Sequence, residues 1–350
     1  MKFKNRHKRN INLFTRYFLG PLLFLWLCWS IYGQLSAGSG LADAWSAIRS
    51  SFNLTSGLTL AIVFLLMILN WTLEAFKWKL LVDQIQQVSL PVAFKAILSG
   101  VAFSVTTPNR VGEYLGRILY MDEGNRLKAI SMTVTGSVSQ LMVTLVMGLG
   151  GLMVLGRRIV ESGMVSAPWV QLMTGGTAVA TLLLTLFYFR IPFLVKTIDR
   201  LPGKHRFNFL ISAMEQYNAT LLLRVLSLSA TRFLVFVIQY YLLFRLFSVQ
   251  LTWGQSVWAV SVSFLVMAAV PTIALFTDLG LRGEIMLQLV TLFSGNKLGI
   301  GLAAVTIWLV NLILPALAGS LLILSIRGIF KNKNGKDPVQ PEISLEKETT

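Results

Sequence analysis

Arg110, Glu113 and Arg117 stand at i, i+3 and i+7. At 100° per residue they fall within about 60° of one another on one helix face. Two guanidiniums flanking a carboxylate can do one of two things. They can form a cationic cradle for a lipid phosphate, with Glu113 orienting the arginines or carrying a proton. They can also form a structural ion network that staples a helix in place. Gly112 and Gly116 on the same segment make a small-xxx-small pair that lets a neighbouring helix approach closely. Thr106-Thr107-Pro108-Asn109 precedes them, and Thr107 or Asn109 is read as the cap of a short helix. The unpaired amides at such a helix start favour anions.

A second charged group follows late in the chain: Asp278, Arg282 and Glu284 within Phe276-Thr277-Asp278-Leu279-Gly280-Leu281-Arg282-Gly283-Glu284. Asp278 can cap a half-helix, and Gly280 and Gly283 permit a tight turn and close approach. Capping with exposed loop charges is the plainer reading. Arg232 lies near the centre of an apolar stretch, where an arginine costs about 2.5–3.5 kcal/mol by insertion scales and needs a partner or a cavity. Glu113 and Glu284 are the candidate partners. Arg224 is placed near the cytoplasmic end of its span, free to snorkel. Glu74, Lys77 and Lys79 are assigned to the membrane interface at the inner end of theirs. Gln140, Gln239 and Asn311 are read as interhelical hydrogen-bonding residues, and Trp45, Trp169 and Trp253 as interfacial anchors.

The elements that hold these residues follow from composition. Of 350 residues, 55% are hydrophobic and 13% charged, with a mean hydropathy of +0.67. A water-soluble surface of this size needs about twice that charge. A soluble globular enzyme and a disordered chain are both excluded. One cysteine, Cys28, leaves no disulfide scaffold or multi-thiolate metal site. Two histidines, His7 and His205, leave no histidine metal cluster and no Ser-His-Asp triad. No phosphate-binding Gly-Lys-Ser loop or zinc-protease motif is present, and no cofactor is expected.

A bilayer core takes about 20 helical residues. Six stretches meet that length, at roughly 17–36, 56–76, 129–155, 168–189, 221–246 and 301–326. The first has an apolar core longer than a signal peptide's, so it is read as a retained anchor. Two shorter stretches, 92–107 and 255–276, end at Pro108 and near Pro271, and each is followed by a short segment, 110–121 and 281–293. Were these ordinary spans, the basic loops 108–128 and 190–220 would lie outside, against the positive-inside rule. As re-entrant hairpins they return both loops to the cytoplasm. The fold expected is therefore an all-α polytopic membrane protein of six full spans and two re-entrant helical hairpins. Its N-terminal residues 1–16, rich in Lys and Arg, lie in the cytoplasm. The membrane domain covers 17–328. Residues 329–350 form a polar cytoplasmic tail, disordered over 331–350. Thirty-one basic against fifteen acidic residues give +16, which is read as topology and attraction to anionic lipid, not as a nucleic-acid surface.

An internal repeat supports the hairpins. Gly112-Glu113, Gly124-Asn125-Arg126-Leu127 and Gly148 recur as Gly283-Glu284, Gly295-Asn296-Lys297-Leu298 and Gly319, all at an offset of 171. Val134, Thr135 and polar Gln140 fall on Val305, Thr306 and polar Asn311. The blocks run over about 56–155 and 221–326. In the preferred topology they are inverted, an architecture shared with transporters whose site lies near the midplane.

Thr107-Pro108-Asn109-Arg110-Val111-Gly112-Glu113, with Arg117 after it, resembles the signature of the lysylphosphatidylglycerol synthase transmembrane region family. Gly280-Leu281-Arg282-Gly283-Glu284, followed by Gly295, resembles its second block, although the polar loop before Arg282 departs from the pattern. The resemblance spans about residues 15–328. It implies an integral membrane protein with inverted repeats, related to proteins that move lipids between leaflets. By motif match it carries over Arg110, Glu113, Arg117 and Glu284. No aminoacyl-transfer domain follows within these 350 residues, so lysyl transfer is not expected and the protein is expected not to be an enzyme.

The favoured reading is a flippase of the inner membrane acting on an anionic or phosphate-bearing lipid, with Arg110, Glu113, Arg117, Arg232, Asp278, Arg282 and Glu284 lining the path. Membrane lipids are its expected partners, nucleic acid is not, and a homo-oligomer is compatible with the sequence. The alternatives are a small-solute or proton-coupled transporter using Glu113 and Glu284, an intramembrane transferase on lipid-linked substrates, and an accessory subunit. The sequence names neither the lipid, the direction nor the energy source.

Overall fold

The structure, a computed structural model, describes residues 54–105, 107, 110–198, 217–270 and 275–325. The expected first span, the basic N-terminus, the C-terminal tail, Trp45, Pro108, Asn109, Pro271 and most of the 190–220 loop lie outside the described residues. Every regular element among those described is helical. In chain order they are α1 (Leu54–Val82), α2 (Leu90–Ser104), α3 (Gly112–Ile118), α4 (Arg126–Glu161, entered through a 3-10 turn, Glu123–Asn125), α5 (Ala167–Ile198), α6 (Ala219–Leu246), α7 (Trp253–Ala269), α8 (Leu275–Val290), α9 (Lys297–Trp308), a π turn (Leu309–Ile313) and α10 (Leu314–Ser325).

Among the described residues, five helices are long and apolar enough to cross a bilayer: Leu54–Val82, Glu123–Glu161, Ala167–Arg190, Ala219–Leu246 and Lys297–Ile323. They match five of the six expected spans. The two stretches ending near proline are the shorter apolar helices α2 and α7. At 1.5 Å per residue α2 reaches about 22 Å, short of a hydrocarbon core of about 30 Å.

Local chemistry sets the helix starts. Pro91 sits in the first turn of α2 behind Ser89, where its missing N–H is not needed. Asn218 accepts the Leu221 amide at 2.7 Å and starts α6. Thr252 and Gln255 form a capping box at α7. The π turn has a chain-level cause. Pro315, just beyond it, has no N–H to offer the Asn311 carbonyl, and the helix widens by one residue there.

The outward face of α1 is apolar and exposed at Leu54, Leu58, Ile62, Leu65, Leu69 and Phe76, as a lipid-facing stripe requires. Trp169 and Trp253 are exposed at the starts of α5 and α7, where anchors belong. Helix α1 packs on α6 antiparallel: Arg232 of α6 meets Asn70 of α1, and about two turns further on Gln239 donates to the Val63 carbonyl at 2.9 Å. Helices α2 and α3 form a tight hairpin. A Cβ at Gly116 would overlap the Gly100 backbone, and one at Gly112 the Phe103 carbonyl. The small-xxx-small expectation is met at both positions.

Each short-helix pair is tied off at its base. Asn125 Nδ2, before α4, donates to the Ile85 carbonyl at 3.3 Å, and the Asp122 amide donates to Gln86 Oε1 at 3.0 Å. Asn296 Nδ2, before α9, donates to the Phe247 carbonyl at 3.0 Å. These two asparagines stand 171 residues apart, the offset of the expected repeat. Close packing is reciprocal too. Gly319 of α10 lies against the Leu98 backbone of α2, and Gly148 of α4 against Leu265 of α7.

Candidate functional site

Glu74 is the centre of the buried charge. It sits on α1 about 12 Å, or eight residues of helix, from the Val82 end, and is 5% exposed. Lys77 Nζ lies 2.7 Å from its Oε2, Arg117 Nη2 lies 3.1 Å from its Oε1, and Arg232 Nη1 donates to Oε2. Three helices thus bring cations to one carboxylate: α1, α3 and α6. Arg117 Nη2 also meets Glu113 Oε2 at 3.0 Å. Arg232 Nε donates to Asn70 Oδ1 at 2.8 Å, and Asn70 Nδ2 donates to Asn311 Oδ1, in the π turn, at 3.4 Å. The Arg232 guanidinium stands 5.6 Å from the Trp71 ring centroid. Lys77 spends its remaining donors on the Gly136 carbonyl (3.2 Å) and Ser229 Oγ (3.3 Å), and Ser229 is 2.7 Å from Ser139.

Bare charges here would be expensive, so each is paired and hydrogen-bonded. Within this cluster three cations face two carboxylates, which leaves a positive charge. Arg117, 3% exposed, keeps its Nε buried with no acceptor among the described residues. A deep site with surplus cation and an unfilled donor is suited to an anion.

The expected residues fall into three groups. Arg117 and Glu113 pair directly, and Arg232 is linked to them through Glu74, the carboxylate it shares with Arg117. Arg110 is exposed at the head of α3 with φ of 58°, a left-handed conformation rare for a residue with a side chain, and both it and Glu113 are within electrostatic range of Arg232. The cap position of α3 is Val111, not Thr107 or Asn109, although Thr107 Oγ1 accepts the Gly112 amide at 2.7 Å. Asp278 and Arg282 pair at 3.3 Å on α8, and Arg282 Nη1 donates to Tyr240 Oη of α6 at 3.3 Å. Tyr240 lies two helical turns beyond Arg232, about 12 Å along α6. Phe264 of α7 packs edge-on against Phe233, Phe236 and Tyr240 in this region.

Four further expectations need correction. Glu74 and Lys77 are not interfacial; they are 5% and 1% exposed at the heart of the cluster, and Lys79 alone of the three pairs near the helix end, with Asp83. The partners of Arg232 are Glu74 and Asn70, because α1 packs against α6 at that level; Glu113 joins through Arg117. Glu284 stands on the exposed face of α8 and accepts from Gln288 at 2.7 Å, so it does not face Arg232. Asp278 is inside the first turn of a helix that begins at Leu275, and Gly280 and Gly283 lie within that helix with no described residue within 4 Å of a Cβ, not at a close-packed turn.

Two interhelical expectations hold: Gln239 bonds to α1 and Asn311 to Asn70. Gln140 Oε1 is buried with no donor among the described residues. Arg224 is exposed near the start of α6, as snorkelling requires. Glu74 was the residue sequence reasoning missed. Its signal was present: Asn70, Glu74 and Lys77 at i, i+4 and i+7 form one polar stripe on an otherwise apolar helix.

A helical, multi-pass membrane protein with an ion cluster inside its bundle is the class these features define. The chain belongs to the lysylphosphatidylglycerol synthase TM region family, whose model matches residues 17–319. That membership assigns it to lipid-related work at a membrane. Comparison with curated proteins and with solved structures gave no significant match.

Proposed function

We propose that the protein is a translocase that carries a phosphate-bearing lipid headgroup between the leaflets of the inner membrane. The observation that carries this reading is the Glu74 cluster, where Arg117 presents a buried, unfilled Nε beside a surplus positive charge. A phosphodiester is the lipid group that a guanidinium edge recognises best. The Arg282–Asp278–Tyr240 group, further along α6, offers the headgroup a second station.

The reading includes two inverted repeats, each with a re-entrant hairpin. The asparagine ties at the hairpin bases support hairpins that enter and leave on one side. The antiparallel packing of α1 and α6 supports bases on opposite sides. The reciprocal Gly148 and Gly319 contacts support a twofold relation between the halves. The basic loops favour cytoplasmic termini. Backbone that breaks inside a membrane is tolerated where protein or a wet cavity shields it, which suits a path for a polar headgroup.

Proteoliposomes containing a tail-labelled fluorescent phosphatidylglycerol test the proposal through dithionite quenching of the outer leaflet. Wild type is expected to open the inner-leaflet pool to quenching, and Arg117→Gln to slow that exchange at least tenfold. Equal exchange by the two proteins would count against the headgroup path.

A further inference from the structure

Arg117 is held by two carboxylates that are not equivalent. Glu74 also binds Lys77 and Arg232, and its side chain is 6% exposed. The Glu113 side chain is 21% exposed, and its one ion pair among the described residues is the 3.0 Å contact with Arg117 Nη2. The Arg117 Nε and Nη2 hydrogens point along the same edge of the guanidinium, the edge that grips two oxygens of one anion. Glu113 meets Nη2 on this guanidinium, while Nε finds no acceptor among the described residues.

We propose that Glu113 is a built-in stand-in for the ligand: its carboxylate is displaced when a phosphodiester takes the Nε and Nη2 edge of Arg117. Glu74 cannot be the group that leaves, because its departure strands Lys77 and Arg232 in the interior. Glu113 can leave by side-chain rotation towards the accessible side of the cluster. The exchange swaps one single negative charge for another, so the buried charge balance is kept. It also sets specificity: a headgroup without a phosphate oxygen pair has nothing with which to displace Glu113. A phospholipid and free phosphate share that chemistry. The inference rests on the proposed phosphate site at Arg117 and adds the competition within it.

Competition has a signature that a structural ion pair does not. Removing a staple loosens a site and weakens binding, whereas removing a competitor tightens it. The test is calorimetric titration of the purified full chain in phosphate-free maltoside detergent. The probes are dihexanoylphosphatidylglycerol, inorganic phosphate and, as the phosphate-free control, dihexanoylglycerol. Glu113→Gln is expected to bind the phosphatidylglycerol about tenfold more tightly than wild type, a gain of roughly 1.4 kcal/mol. Glu113→Ala is expected to do the same, and Glu113→Asp to return the wild-type value.

If wild type binds and neither Glu113→Gln nor Glu113→Ala binds more tightly, the stand-in role is overturned while the Arg117 site survives. If neither wild type nor these variants bind either phosphate probe, the site itself falls and the inference with it. If inorganic phosphate binds as tightly as the lipid and shows the same gain, Glu113 is confirmed as the competitor and the lipid reading is overturned. Binding of dihexanoylglycerol equal to that of the phosphatidylglycerol overturns the phosphate requirement.

Discussion

Glu74→Leu is expected to leave little or no folded protein. The side chains are similar in size, so the effect is electrostatic. Lys77, Arg117 and Arg232 all converge on this carboxylate, and each is nine-tenths or more buried. Breaking one buried pair costs about 3–5 kcal/mol because the remaining charge has no counter-ion. Here three cations lose theirs together, against a total stability on the order of 5–15 kcal/mol for a typical protein. The measurement is monodisperse yield and melting temperature in maltoside detergent. Glu74→Gln, which keeps the acceptor oxygen, should fall between. Glu74→Leu with Arg232→Leu should recover part of the loss, because the two charges leave together and Trp71 and Asn70 remain to line the gap. A Glu74→Leu protein that melts like wild type would show that the cluster does not hold the bundle.

Gly319→Leu should be nearly as damaging, for a steric reason. A Cβ at Gly319 would overlap the backbone carbonyl of Leu98, and backbone cannot rotate aside as a side chain can. Gly116 presses on the same stretch of α2 at Ser99 and Gly100 from α3. Helix α2 is thus seated between two glycine contacts, and enlarging either one pushes it out. A loss on the order of 3 kcal/mol or more is expected, at the upper end for overpacking, because the clash is with main chain. Gly148→Leu, which meets the Leu265 side chain, should cost less than Gly319→Leu. Gly283→Leu is the control: no described residue lies within 4 Å of a Cβ there, and its melting temperature should stay near wild type. Equal melting of the Gly319→Leu and Gly283→Leu proteins would refute the close approach.

Much of the fold could be read from the chain because membrane constraints are strong. Span length, proline breaks and basic loops have few solutions in a bilayer, and five of the expected spans coincide with long apolar helices. Asn125 and Asn296, and Gly148 and Gly319, which the sequence sets at one offset, each make a tie or a close approach that few residues can make. The charged site was half legible. Arg117 and Glu113 stand in a compact motif on one short helix, and their pairing follows from spacing. The partner of Arg232 does not, because Asn70 and Glu74 are 162 and 158 residues away and only the docking of α1 on α6 decides which acidic residue it meets. Glu284 illustrates the same limit from the other side. It stands 171 residues from Glu113, at the offset read in the sequence, yet α8 turns it outward to Gln288. A shared offset in sequence does not fix where a charge points.

The central claim is that the cluster around Glu74 holds the phosphate of a lipid. Native mass spectrometry of the protein extracted gently from its membrane addresses it most directly. Wild type should retain an anionic phospholipid through detergent removal in the gas phase, and Arg117→Gln, which leaves Glu74 paired with Lys77 and Arg232, should lose that adduct while keeping its folded charge-state distribution. An identical lipid complement on both proteins, matching the bulk membrane composition, would contradict the claim.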